Sequence, residues 1–221
     1  MLKYPISTLL YLAKLSIKDK IQDALKLHNN IDVRLTITVK DKNGNIIKVH
    51  KQKSHSFVAN FLYLLGSFLA DTQYNWTDVS GTVQQFYSGS VSLSDILNAH
   101  TGNPSNSGIM VGTGTATPTP GDYKLGNLIA SGTTSGTLNY SNPTFNQPSV
   151  SGNTTSMTIT QSYQNQSGAS ITVTEVGLVA VTDNNSNTND SVLITHDLLS
   201  SPITVANLSI LEITYTISIT T

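Results

Sequence analysis

A mainly β chain, with an antiparallel sandwich behind a short helical and hairpin segment, is the fold class predicted by three observations. From about residue 72 onward, β-branched runs alternate with Gly, Pro, Asn and Ser clusters at the short spacing of sandwich strands. Only 11% of the 221 residues are charged, whereas Ser, Thr and Asn together supply 76; soluble domains usually carry about 25% charge. Residues 1–53 hold eleven of the twelve Lys and Arg and carry a net +7, while residues 54–221 carry −8. Two compositions in one chain predict two parts: a basic helix–hairpin–helix docking segment at 1–71 and a Ser/Thr/Asn-rich β-sandwich at 72–221, jelly-roll or immunoglobulin-like in connectivity.

Residues 7–28 read as a helix, because Leu9, Leu10, Ala13, Ile17, Ile21, Ala24 and Leu25 recur near a 3.6 period with Lys14, Lys18 and Lys26 on another face. A secretory signal is the rival reading; Lys14, Lys18, Asp19 and Lys20 interrupt the place where its cleavage site would lie. Next, Ile31, Val33, Leu35, Ile37 and Val39 alternate with polar residues, and Asn43-Gly44 predicts a primed hairpin turn before the return strand at Ile46, Ile47 and Val49. Residues 56–70 predict a second, largely buried helix with Phe57, Phe61, Leu64, Leu65 and Phe68 on its core side. Strands are expected at 155–164, 170–182, 191–199 and 203–220, with a brief one at Ile109–Val111. Residues 176–181 are apolar on both faces, as a covered central strand requires.

Chemistry is sparse. The chain has no Cys, which excludes disulfides, thiolate nucleophiles and cysteine-ligated metals. No Gly-x-Ser-x-Gly elbow occurs, and Gly112-Thr113-Gly114 lacks the rest of a phosphate or dinucleotide loop, so it reads as a tight turn. His196 and Asp197 are adjacent on a strand and point to opposite faces. Asp183–Asp190 lacks the Glu and Gly of a calcium loop. The chain is therefore expected to be no enzyme, with no catalytic, cofactor or metal-ligating set. No apolar run reaches the 18 residues of a membrane span.

Three sets of residues are candidates for contact. Lys14, Lys18, Lys20, Lys26, Lys48, Lys51 and Lys53 form a basic partner-docking set, open to an acidic protein or to packaged DNA by counterion release. Tyr74, Trp76, Phe86 and Tyr87 cluster as a ligand or subunit contact. Glycosylation sequons begin at Asn75, Asn139, Asn153, Asn165, Asn184, Asn189 and Asn207. A surface of hydroxyls and amides changes little across the carboxylate pH range, which suits an extracellular or virion protein.

Four stretches carry a resemblance: KSHSFVANFLYLLGSFL (53–69), SGIMVGTGTATPTPGDYKLGNLI (107–129), NQSGASITVTEVGLVAV (165–181) and SVLITHDLLSSPITVANLSILEITYTISI (191–219). They resemble β-sandwich virion structural proteins of tailed phages and of viruses of thermophilic archaea. The shared features are Gly112 to Gly114, Asp122 to Leu125, Ser167 to Leu178 and Ser201 to Val205. The resemblance implies a non-enzymatic protein of the virion that forms a homo-oligomer and assembles with other virion structural proteins in a tail, adapter or vertex. A receptor- or glycan-binding spike domain is the alternative.

Overall fold

The computed structural model describes residues 30–54, 57–70, 74–85, 107–183 and 189–221. The expected helix at 7–28, with Lys14, Lys18, Lys20 and Lys26, lies outside them, as do Phe86, Tyr87 and Asn184. The described chain is mainly β, its sheets antiparallel.

Strands β1 (Asn30–Lys40) and β2 (Ile46–Lys53) form the hairpin. Alternation decides its faces: Val33, Leu35, Ile37 and Val39 are buried, whereas Arg34 is exposed and Thr36 and Thr38 are half-buried. The turn differs from the primed type. Only Gly44 has positive φ (87°), and the loop spans Asp41 to Asn45, with the Asp41 carboxylate accepting from the backbone N–H groups of Asn43 and Asn45. A short acidic side chain at the first turn position supplies the acceptor that a two-residue turn would not need.

This hairpin is not a segment docked on a sandwich beginning at residue 72. Strand β1 pairs residue for residue with β11 (Ile210–Thr220), from Asn30↔Thr220 to Lys40↔Ile210. Strand β11 pairs in turn with β8 (Thr154–Gln164), which carries both β6 (Asn139–Tyr140) and β7 (Thr144–Ser151). The order β2-β1-β11-β8-β6 makes residues 30–53 one flank of the larger sheet. The apolar stripe of β1 would otherwise face water; beside Leu211, Ile213 and Tyr215 it becomes core.

The smaller sheet runs β10-β9-β5, from β5 (Gly108–Gly112), β9 (Ile171–Asp183) and β10 (Asn189–Val205). Strand β9 is central, and residues 175–182 are buried throughout, so both of its faces are covered. The expected strands at 191–199 and 203–220 redistribute. Residues 203–205 belong to β10 and pair with 171–173, after a four-residue bulge at Leu199–Pro202; the chain then turns through Leu208 (φ 66°) into β11. A two-stranded ribbon, β3 (Asn75–Thr77) and β4 (Val83–Gln85), stands apart.

Helix α1 (Ala59–Ala70) buries less than its composition suggests. Leu64 is in the core and Phe57 stacks on Phe61 at 4.2 Å, but Leu65 is 41% exposed, with Leu62 and Tyr63 exposed beside it. Among the described residues a single layer lies beneath the helix, and its other side is uncovered. Asn60 fixes the helix to β3, donating to Thr77 O and accepting from Thr77 N–H.

Side-chain bonds link the sheets. The Tyr163 hydroxyl donates to Ile109 O at 2.6 Å, Ile109 N–H donates to Gln161 Oε1 at 2.7 Å, and the Tyr215 hydroxyl donates to Asp197 Oδ2 at 2.9 Å. Each caps a polar group that burial would leave costly, so the core holds polar atoms without an unpaired charge at these points.

Candidate functional site

Three titratable groups, far apart in sequence, meet on the outer side of the smaller sheet. Glu175 projects from β9, opposite Gly112 of β5, and His196 projects from β10, opposite Gly177. His196 Nε2 lies 2.9 Å from Glu175 Oε2, and Nδ1 lies 2.6 Å from Asp122 Oδ2 in the loop between β5 and β6. Both ring nitrogens therefore face carboxylates, an arrangement that suits the imidazolium, which donates from both. Burial pulls the His196 pKa down, but the bonds to Glu175 and Asp122 outweigh it and hold it above its ordinary value.

Glu175 is 1% exposed. Its carboxylate accepts the backbone N–H groups of Gly114 (2.8 Å), Gly126 (2.9 Å) and Asn127 (2.8 Å), in addition to the His196 bond. Desolvation pushes its pKa up; the bond from His196 and the three backbone donors more than reverse that, holding it at about 2. Asp122 behaves alike on a smaller scale: burial raises it, while the Thr119 hydroxyl and N–H and His196 lower it below its ordinary value.

The local sequence explains the cradle. A Cβ on Gly112 would lie 2.2 Å from Glu175 Oε1 and 2.6 Å from Asn127 O, and one on Gly114 would meet the same carboxylate at 2.5 Å. Gly112-Thr113-Gly114 thus does what glycines in anion-binding loops do, letting backbone approach negative charge, but the anion is the protein's own. Thr174 adds a bond from its hydroxyl to Gly114 O at 2.7 Å. The arrangement can hold charge and fix a loop. Four donors occupy the two oxygens of Glu175, and both His196 ring nitrogens are engaged.

A second buried set lies on the opposite face of the same sheet. Asp197 accepts from Tyr215 and from the Ser54 hydroxyl at 2.7 Å, and Thr195 donates to the Tyr215 hydroxyl at 3.3 Å. His196 and Asp197 do point to opposite faces. Among the described residues, no group of three or more His, Asp or Glu is placed to hold a metal ion, and no helix is long and apolar enough to cross a membrane.

The residues singled out from sequence stay dispersed. Lys48, Lys51 and Lys53 lie on β2: Lys48 donates to Pro202 O, Lys53 pairs with Asp32, and Lys51 is exposed. Trp76 is 1% exposed and part of the core, while Tyr74 is exposed, so the two do not share a platform. Asn75, Asn139, Asn153 and Asn207 are exposed, but Asn165 is fully buried. Its amide donates to Ala169 O and Val205 O and accepts from Ser167, which excludes it as a glycan acceptor in the folded protein. The sequence signal for the cluster was present in part: Glu175 is a lone charge in an apolar strand, which demands a partner. Beside the cluster lies a half-open pocket of about 170 Å³ lined by Val79, Met110, Lys124, Leu125, Leu128 and Val179. Compared with known proteins, the chain matches no family model, no curated sequence and no solved structure.

Proposed function

We propose that the protein is a non-enzymatic structural component of a virion, built as a two-layered β-sandwich that self-assembles with copies of itself and with other virion proteins. The observation that carries the self-assembly is the open side of α1: Leu62 is 64% exposed, Tyr63 44% and Leu65 41%, with Tyr74 packed beside Gly66 and 41% exposed. Contiguous apolar surface of this kind marks a protein–protein contact. Consumption of the titratable groups by internal bonds supports a structural role over a catalytic one. The rival, a glycan-binding spike domain, is less well served with Trp76 in the core. Light scattering on the full-length protein tests the reading. An oligomer of defined mass, reduced to monomer by Leu62→Glu with Leu65→Glu, is the expected result; a monomer at all concentrations overturns it.

A further inference from the structure

Strand β2 is the outer strand of the larger sheet, and among the described residues it pairs on one side only, with β1. It is eight residues long, without Pro, and Ile46, Ile47 and Val49 are 51–62% exposed. Its two faces differ. Lys48, His50 and Gln52 point toward the β10 bulge: Lys48 donates to Pro202 O, Gln52 bonds Leu198 O and Ser200 N–H, and His50 lies 3.4 Å from the Ser200 hydroxyl. Ile47, Val49, Lys51 and Lys53 take the other face, where the register sets Lys51 beside Thr36 and Lys53 beside Arg34.

That corner is cationic. Arg34 and Lys53 share Asp32, at 2.6 Å and 3.2 Å, and Lys51 is exposed on the same face opposite Thr36. Five of the described acids of residues 54–221 are already engaged elsewhere: Asp78, Glu175 and Asp197 are buried, Asp122 is tied to His196, and Glu212 is bound to Lys40. Lysine on an edge strand ordinarily prevents pairing with a like strand. Here it leaves an eight-residue, partly apolar edge that repels a second β2 and favours a strand of opposite charge.

We infer that β2 is a strand-addition site for an extended acidic segment of a partner protein, read as two acidic residues at alternate positions opposite Lys53 and Lys51 followed by aliphatic residues opposite Val49 and Ile47. Main-chain bonds to this edge, unpaired among the described residues, supply the pairing, and the side-chain row supplies selection. This surface is separate from the apolar side of α1, so the oligomeric mass and the binding below report on different claims.

The test is fluorescence anisotropy with full-length protein and a labelled nonapeptide, Thr-Glu-Thr-Glu-Thr-Val-Thr-Val-Thr. Saturable binding is expected, weakened roughly tenfold by Lys51→Glu with Lys53→Glu, exposed changes whose fold is checked by an unchanged melting temperature. The same peptide N-methylated at alternate residues keeps its charge and loses strand pairing; it is expected not to bind. Equal binding of the methylated peptide, tighter binding of a 20-base-pair DNA duplex, or no binding of the parent peptide each overturns the inference.

Discussion

Replacing Glu175 by Gln removes one charge and almost no volume, so it isolates the electrostatic part of the cluster. The amide must turn its NH2 toward either Gly114 and Asn127 or Gly126 and His196, because those four donors fill both oxygens. Breaking a buried ion pair by removing one partner costs about 3–5 kcal/mol. The proton linkage gives a similar figure: a carboxyl held at about 2 against an ordinary 4.5 contributes roughly 3 kcal/mol. Its pKa is lowered on folding, so that stability is present above pH 4.5 and lost as pH falls toward 2. His196 has the opposite sign. Its raised pKa gives stability that is complete below 6.5 and lost as pH rises through the folded value. The cluster therefore stabilises most between about pH 4.5 and 6.5. Thermal unfolding followed by circular dichroism at pH 5.5 should place the E175Q protein roughly 10 °C below the parent, given 2–4 °C per kcal/mol for a chain of this size. The gap should close as pH approaches 2, where the parent carboxyl is also protonated. Melting temperatures within 2 °C at pH 5.5, or a gap unchanged at pH 2, would refute the reasoning.

Further consequences can be measured on the same footing. Gly112→Ala forces a methyl against both Glu175 and the Asn127 carbonyl and should cost roughly 3 kcal/mol or more by urea unfolding, whereas Gly136→Ala, with φ 79° and no atom within 4 Å, should cost only about 1–2. Equal losses would show that the loop moves aside for the methyl. Tyr215→Phe removes the donor to buried Asp197 and should lower stability by about 1.5–3 kcal/mol with the urea m-value unchanged. In a glycosylating host, peptide mass spectrometry should find glycan absent from Asn165 while Asn139, Asn153 and Asn207 remain accessible to it; occupancy at Asn165 in folded protein would contradict its burial.

Legibility followed the reach of each interaction. Local alternation marked the hairpin, and a run apolar on both faces marked β9, because those patterns depend on neighbours two residues away. Strand β7 escaped: all eight of its residues are exposed, so no period distinguishes it from a loop. The single strand β10 escaped because Ser200, Ser201 and Pro202 look like a turn, and in the fold they are a bulge whose backbone is met by Lys48 and Gln52. The period of residues 56–70 predicts a helix and sets Leu65 inward, yet Leu65 is 41% exposed, since periodicity cannot say how many layers a helix touches. The Gly-Thr-Gly run reads from sequence as a tight turn, and in the fold its glycines are sites of close approach. What they approach, a carboxylate 61 residues beyond Gly114, is set by strand pairing that only the assembled sheet defines.

The register of β1 against β11 joins residues about 180 positions apart, and β11 lies between the hairpin and β8. During synthesis the hairpin emerges about 170 residues ahead of β11, and its apolar stripe must wait for that neighbour to leave the ribosome. Completion of the larger sheet therefore waits for β11, and its rate is governed by a closure of high contact order. Until then Val33, Leu35, Ile37 and Val39 are exposed to other nascent chains, so yield in expression should depend on chaperone supply and on temperature more than on the final stability of the fold.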